Sequence, residues 1–220
     1  SVTSVIESSR FFSTVSEKWE PNDVFTTLNE IFQVIVPAVV DNGGVIDKFV
    51  GDGVMALFTQ PEHAVQAGIR IVRETQGLES GLGRAGGGVG INWGELLLGT
   101  VGTEDRIQTT VVGDVVNVAA RLEGITKYMA TPLLISESIA QHTHTSNRYL
   151  GRHPIRGRKE KVGLYQVLDL LEPEVRATLE ASKDEFERVA SQIGSLDIKN
   201  ICPQLQTYVD RHPSDEVATQ

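Results

Sequence analysis

The sequence GVIDKFVGDGVMALF, residues 44–58, is the strongest indication of the fold of this 220-residue chain. Apolar and β-branched residues lie on both sides of a central Gly-Asp-Gly, a sequence typical of a tight turn between two strands. After the turn, Val54, Ala56 and Phe58 alternate with a period of two, so both arms are predicted to be half-buried strands of a hairpin. Asp52 then lies at the tip, where an aspartate serves either as a turn former or as a presented carboxylate.

A second informative segment is TTVVGDVVNVAARLE at residues 109–123. A β-branched run precedes a Gly-Asp turn, and a helical pattern follows it. Asn117 and Arg121 are four residues apart and therefore share one face of the predicted helix. Asp114 lies at the start of that helix, where it is predicted to act as the cap.

Together the two segments resemble the class III nucleotidyl cyclases, the family of adenylate and guanylate cyclase catalytic domains. The family pattern is approximately GG-x-IDKF-x-GD-x-xMA-x-F in the hairpin and TV-x-GD-x-VN-x-AARLE at the helix, and both are nearly unbroken here. Further matches lie in residues 2–17, 90–95, 99–106 and 156–158, the last shortly before Tyr165. The resemblance implies an α+β fold, a ferredoxin-like sandwich with a mostly antiparallel sheet flanked by helices.

The composition of the sequence changes near residue 172. Residues 1–171 are predicted to form the cyclase-like domain, and residues 172–220 a helical extension in which apolar residues recur at helical spacing among many charges. We expect the extension to dock on the domain, although bridging a dimer and beginning another module stay open. The Gly-rich connector at residues 81–90 lacks the Gly-Lys-Ser/Thr of a P-loop, so it is predicted to be a flexible loop before a strand that starts at Val89.

The charge and composition of the chain limit the classes of partner that it is expected to bind. A net charge of −9 argues against nucleic acid or an anionic membrane, since either would require a basic surface. The longest apolar run, residues 31–40, is interrupted by Gln33 and Pro37 and is too short to cross a bilayer, so no membrane contact is expected of this fragment. The single Cys202 fits a reducing compartment, and the cytoplasm is the expected location, even for a domain tethered to a membrane through its parent protein.

The resemblance implies a site in which two aspartates hold two divalent ions, Mg²⁺ or Mn²⁺. Asp52 matches the second aspartate, whereas Ser8 stands where the first is expected, and Phe11 replaces a nearby family glycine. Glu7 is adjacent, but neighbouring strand residues point to opposite faces, so Glu7 would serve only through a bulge or a register slip. Because a serine hydroxyl is a weak neutral ligand, Mg²⁺ is expected to bind poorly at this position.

The remaining family positions imply recognition of ATP. Lys48 and Thr110 match the adenine-reading pair, which favours ATP over GTP. Asn117 and Arg121 match the residues that orient the ribose and stabilise charge on the α-phosphate. The triphosphate is expected to contact the backbone amides of Phe11, Phe12, Ser13 and Thr14 and the side chains of Arg156 and Arg158. Without the family, the two arginines read equally well as a solvated basic turn.

Two functions stay open at this point. In the family, the site lies at a dimer interface, with the aspartates from one protomer and the lysine, threonine, asparagine and arginine from the other. The first hypothesis is a homodimeric adenylate cyclase that forms 3′,5′-cyclic AMP and pyrophosphate and is slowed by Ser8. The alternative is a catalytically degenerate domain that binds nucleotide or complements a partner cyclase in a heterodimer. The match at five site positions favours the enzyme.

Overall fold

The computed structural model describes residues 2–9, 21–80, 83–84, 87–103, 106–155, 158–193 and 198–219. The strands in chain order are β1 (Val2–Ser9), β2 (Val45–Val50), β3 (Gly53–Phe58), β4 (Glu79–Ser80), β5 (Gly83–Arg84), β6 (Gly87–Gly94), β7 (Leu97–Thr103), β8 (Arg106–Val112), β9 (Leu133–Ser136), β10 (Asn147–His153) and β11 (Val162–Val167). The α-helices are α1 (Pro21–Asp41), α2 (Pro61–Gln76), α3 (Asp114–Thr126), α4 (Glu137–Ala140), α5 (Pro173–Ala181), α6 (Lys183–Ala190) and α7 (Ile198–Arg211).

A seven-stranded sheet in the order β10-β11-β9-β6-β1-β3-β2 forms the centre of the molecule. Within it, β1-α1-β2-β3-α2-β6 is a βαββαβ unit whose strands lie in the order β6-β1-β3-β2, which is the ferredoxin-like arrangement. Neighbouring strands pair antiparallel except β6 and β9, which pair in parallel. The predicted α+β sandwich with a mostly antiparallel sheet is therefore confirmed.

The predicted hairpin is confirmed, but its two arms differ in burial. Gly51 takes a left-handed conformation, with φ of 62°, in the turn between β2 and β3. Strand β3 is almost wholly buried because β1 and β2 flank it. Strand β2 is the edge of the sheet, and Val45, Phe49 and Val50 are each more than half exposed. The prediction of a half-buried first arm was wrong because the sequence pattern does not reveal which strand ends the sheet.

Helices α1 and α2 cover one face of the sheet. Ile31, Ile35 and Val39 of α1 pack in the same buried cluster as Phe58 and Ile91 of the sheet. Helix α1 is also the one helix in the described part of the chain that passes a test of length and apolar composition for a membrane span, over Asn22–Asp41. One face of this helix packs against the sheet, and 28% of its most apolar window is buried. The helix ends before Gly43 and Gly44, whose N–H groups donate to carbonyls of its last turn.

Helix α3 lies on the opposite face, in very close contact with β6. A Cβ atom added to Gly90 would lie 2.2 Å from the carbonyl oxygen of Ala119, and one added to Gly88 would lie 2.0 Å from Oγ1 of Thr126. Only glycine at these positions allows the helix to approach this closely. The predicted flexible loop was therefore wrong for its second half, because β6 begins at Gly87, before the predicted Val89.

The helices of residues 172–220 dock on the same face as α3. Phe186, Ala190 and Tyr208 share a buried cluster with Leu134 and Leu164 of the sheet. The end of the chain is fixed by a buried ion pair, in which both terminal nitrogens of Arg148 donate to the carboxylate of Asp215 at 2.5 and 2.9 Å. Burial alone would raise the pKa of Asp215, but the hydrogen bonds and charge of Arg148 outweigh burial and lower it. The domain boundary at residue 171 stays a prediction.

The close contact between β6 and α3 generates a stability prediction. Gly90→Ala is expected to lower the free energy of unfolding by about 1–3 kcal/mol or more, because the added methyl group overpacks the helix backbone. Gly124→Ala is the matched control in α3, since no atom lies within 4 Å of its added Cβ. Alanine favours the helix there by roughly 0.5–1 kcal/mol. Urea unfolding followed by circular dichroism measures both, and a stable Gly90→Ala variant would contradict the packing argument.

Candidate active site

The central strand β1 brings Ser8 close to the turn that carries Asp52. Glu7 pairs with Val54 of β3, and Ser8 pairs with Gly88 of β6. Because β3 begins one residue after Asp52, continuing the same register places the backbone of Ser8 beside the turn. The two positions that the sequence predicted as metal ligands are thus neighbours in the fold, at the end of the sheet where β6 begins.

The chemistry at this end depends on one carboxylate. Asp52 is half-buried, and burial raises its pKa, partly offset by a hydrogen bond from its own backbone N–H. Among the residues that the structure describes, no group of three or more His, Cys, Asp or Glu side chains could hold a metal ion. Mg²⁺ is commonly held by one or two carboxylates together with substrate phosphates, so Asp52 fits one such ion. The donor set for a second ion is incomplete in this part of the chain.

Helix α3 presents the predicted ribose and phosphate residues to solvent. Asn117 and Arg121 are both exposed, whereas Val118 and Leu122 on the other face are fully buried. The predicted shared face is therefore confirmed. The exposed side chains of this pair leave their polar groups accessible to a ligand.

A buried asparagine, missed in the sequence, anchors the start of α3. Asn92 donates through Nδ2 to the carbonyl of Val115 at 3.0 Å and accepts from Oγ of Ser138 at 3.2 Å. These bonds fix the first turn of the helix to β6 and to α4. The available signal was a polar residue within an otherwise apolar strand, since buried polar side chains are generally hydrogen-bonded.

Arg158 lies beside the start of the same helix. Its Nε is 3.2 Å from Oδ2 of Asp114, and both side chains are partly exposed. Asp114 is the first helical residue, and the cap position is Gly113, so the prediction that Asp114 caps the helix was wrong. A cavity of about 360 Å³ adjoins this pair and is lined by residues that include Asn92, Glu95, Asp114, Arg152, Arg158 and Lys161.

Asp52 and Arg158, which the sequence predicted for one site, lie at opposite ends of the sheet. Ser8 and Asp52 lie near Gly88, whereas Arg158 and the start of α3 lie near Gly94, because Val115 contacts the Cβ position of Gly94. A strand rises about 3.3 Å per residue, so the six steps from Gly88 to Gly94 span about 20 Å. A metal–oxygen bond is only about 2 Å long, so Asp52 and Arg158 of one chain are too far apart to act on one phosphate group.

The two residues predicted to read the base lie in two different β-sheets. Lys48 is in the edge strand β2, with its Nζ 3.1 Å from Oδ2 of Asp47. Thr110 is in β8, which pairs with β7 in a two-stranded ribbon that is separate from the main sheet, and its backbone partner is Gly99. Phe11, Phe12, Ser13, Thr14 and Arg156 lie outside the described residues, so the predicted phosphate contacts of the first four and of Arg156 stay predictions.

Known proteins are similar to this chain in sequence and in fold. No family model matches the chain. An adenylate cyclase of Anabaena cylindrica is 34% identical over 174 residues, which are 72% of this chain and 35% of that protein. A terminal-differentiation-specific adenylate cyclase of Dictyostelium discoideum is 34% identical over 183 residues, which are 77% of this chain and 9% of that protein. The chain therefore spans only a minor part of these relatives.

Solved structures extend the comparison to the whole domain. A bacterial light-regulated adenylyl cyclase aligns with a TM-score of 0.70 at 26% identity, covering 83% of this chain and 97% of that one. A guanylyl cyclase aligns with a TM-score of 0.61 at 29% identity, covering 78% of this chain and 93% of that one. Fold and relatives agree on one class of protein, the nucleotidyl cyclases. The chain belongs to the class III family of adenylate and guanylate cyclase catalytic domains.

Proposed function

We propose that this chain is an adenylate cyclase domain that converts ATP to 3′,5′-cyclic AMP and pyrophosphate at a site shared between two copies. The observation that carries the proposal is the separation of about 20 Å between the Asp52 end and the Arg158 end of one sheet. Each chain contributes one half to each of two sites. The relatives named adenylate cyclase support the choice of reaction.

The residues of the chain divide the chemistry between them. Lys48 donates to N1 of adenine, and Thr110 faces its exocyclic amine. Asn117 orients the ribose, and Arg121 stabilises the charge that develops on the α-phosphate, a contribution commonly worth about 3–4 kcal/mol. Asp52 holds a divalent ion, Mg²⁺ or Mn²⁺, which when bound lowers the pKa of the ribose 3′-hydroxyl and offsets phosphate charge. Arg156 and Arg158 hold the terminal phosphates.

Exposed apolar side chains support a second copy of the chain as the partner. In β2, Val45, Phe49 and Val50 are 52–66% exposed, beside the turn that carries Asp52. The β7–β8 ribbon carries Leu97 and Leu98, which are 75% and 65% exposed, and it also carries Thr110. Exposed apolar surface concentrated in short segments is typical of interaction sites. A two-fold dimer would cover it and complete both sites together.

Ser8 favours a second candidate function. With a serine at the first metal position, the chain holds one strong ligand where the family has two, and Mg²⁺ tolerates missing oxygen ligands poorly. A domain of this kind would bind nucleotide without turnover, or would lend Lys48, Asn117 and Arg121 to a partner that carries both aspartates.

Purine preference tests the proposed reaction. The purified chain, incubated with ATP or GTP in Mg²⁺ and in Mn²⁺, is expected to form cyclic AMP in clear excess over cyclic GMP, because Lys48 and Thr110 complement adenine. Arg121→Ala is the control and is expected to lower turnover by about 100-fold or more through the loss of transition-state charge stabilisation. Chromatography of the products measures both. Equal turnover and equal affinity for the two nucleotides would contradict the adenylate assignment.

The metal position generates a second prediction. Ser8→Asp is expected to raise turnover with Mg²⁺ about tenfold or more, equivalent to about 1.4 kcal/mol of barrier, because it restores a charged ligand. Calorimetry should show tighter Mn²⁺ binding in the presence of a non-hydrolysable ATP analogue. Loss of activity in Glu7→Ala, without any gain in Ser8→Asp, would instead identify Glu7 as the ligand and refute the register assumed for Ser8.

Assembly generates a third prediction. The chain is expected to sediment as a dimer, and Leu98→Asp is expected to shift it to monomer, because a buried unpaired carboxylate at an apolar interface is strongly unfavourable. Val175→Asp is the matched control, since Val175 is also exposed but lies in the C-terminal extension. Sedimentation equilibrium with and without nucleotide measures the change. A wild-type chain that stays monomeric at high concentration would remove the basis for a shared site.

A further inference from the structure

Strand β2 contains a bulge directly before the base-reading lysine. Ile46 pairs with Ala56, whereas Lys48 pairs with Met55, so Asp47 is the extra residue in the ladder between them. A bulge of this kind bends the strand and changes the direction of the side chains around it. In sheets, bulges are frequent next to active sites, where they re-aim a side chain.

The bulge produces an ion pair that a regular strand would not allow. Successive side chains of a regular strand point to opposite faces of the sheet. Here Nζ of Lys48 lies 3.1 Å from Oδ2 of Asp47, its immediate neighbour in sequence. The two side chains therefore lie on one side of the strand, and the extra residue in the ladder is the structural cause.

The burial of the two partners is unequal. The side chain of Asp47 is 8% exposed, whereas that of Lys48 is 31% exposed. Oδ2 of Asp47 is buried and has no hydrogen-bond partner in the described part of the chain, so the lysine offsets its charge as an ion pair, outside hydrogen-bonding geometry. A buried charge that loses its partner is strongly unfavourable, so the carboxylate holds the ammonium group in place.

We propose that Asp47 is a positioning residue that fixes the ammonium group of Lys48 for recognition of adenine. The inference rests on the proposed function, in which Lys48 reads the purine. An ammonium group has three N–H donors, and in the proposed complex one of them faces N1 of adenine while Asp47 holds the group in place. The purine reader is therefore a pair of adjacent residues held together by a bulge.

The pair also affects how the preference for ATP could be changed to a preference for GTP. Lys48→Glu alone would place a second carboxylate beside the buried carboxylate of Asp47, and like charges in contact are unfavourable. A change of preference from ATP to GTP by Lys48→Glu would therefore need Asp47→Asn in the same chain. Lys48→Glu alone is expected to lose affinity for both nucleotides.

Competition of ATP and GTP against a fluorescent methylanthraniloyl-ATP tests the pair in the full chain. Asp47→Asn is expected to lower the preference for ATP over GTP about tenfold, and Asp47→Glu to restore most of it, because a carboxylate returns. In a chain that already carries Lys48→Gln, Asp47→Asn is expected to cause no further change in the preference for ATP over GTP. Asp41→Asn is the matched control, since Asp41 is also an aspartate in an ion pair, with Arg70, but is exposed. It should leave the preference unchanged.

The outcomes separate the two claims. A wild-type chain without any ATP preference would overturn the proposed base recognition and this inference with it. Loss of preference in Lys48→Gln together with full preference in Asp47→Asn would overturn only the positioning role. If Asp47→Asn does not fold, the thermal stability of the single variant Lys48→Gln is compared with that of the double variant that also carries Asp47→Asn. A more stable double variant supports the buried pair, and a double variant that is no more stable contradicts it.

Discussion

The close approach of helix α3 to strand β6 is the constraint on which the site depends. Gly88 and Gly90 leave no side chain between the helix backbone and the strand, and a methyl group at either position would collide with α3. The helix is then fixed along its length, at its first turn by Asn92 and at its last by the contact of Thr126 with Gly88. Its buried face meets the sheet, so Asn117 and Arg121 remain outside, where a ligand can reach them.

This packing also sets the direction of α3, and with it the position of Arg158. The helix begins near Gly94 and ends near Gly88, so Arg158, paired with Asp114, lies at the end of the sheet far from Asp52. Asp52 and Arg158 of one chain are thus too far apart to act on one phosphate group. The exposed apolar residues of β2 and of the β7–β8 ribbon supply a surface through which a second chain could complete both halves.

Much of the fold followed from local patterns in the sequence. The Gly-Asp-Gly turn and the shared face of Asn117 and Arg121 were predicted because each depends on residues close together in the chain. The α+β sheet was expected from the family resemblance. The features that were missed depend on distant contacts. The exposure of β2 depends on which strand ends the sheet, and the role of Gly88 and Gly90 depends on the position of α3. The Asp47 bulge depends on how β2 pairs with β3, which alternation alone cannot indicate.

Complementation between two inactive variants tests the shared site most directly. Asp52→Asn and Arg121→Ala, each in the Ser8→Asp background, remove one residue from each half of the site. Alone, each variant should be nearly inactive, since every site in its dimer is damaged. An equimolar mixture should recover roughly a quarter of the activity of the parent, because half of the dimers are mixed and each of these has one undamaged site of two. A mixture no more active than the separate variants, under conditions where mixed dimers form, would contradict a site built from two chains.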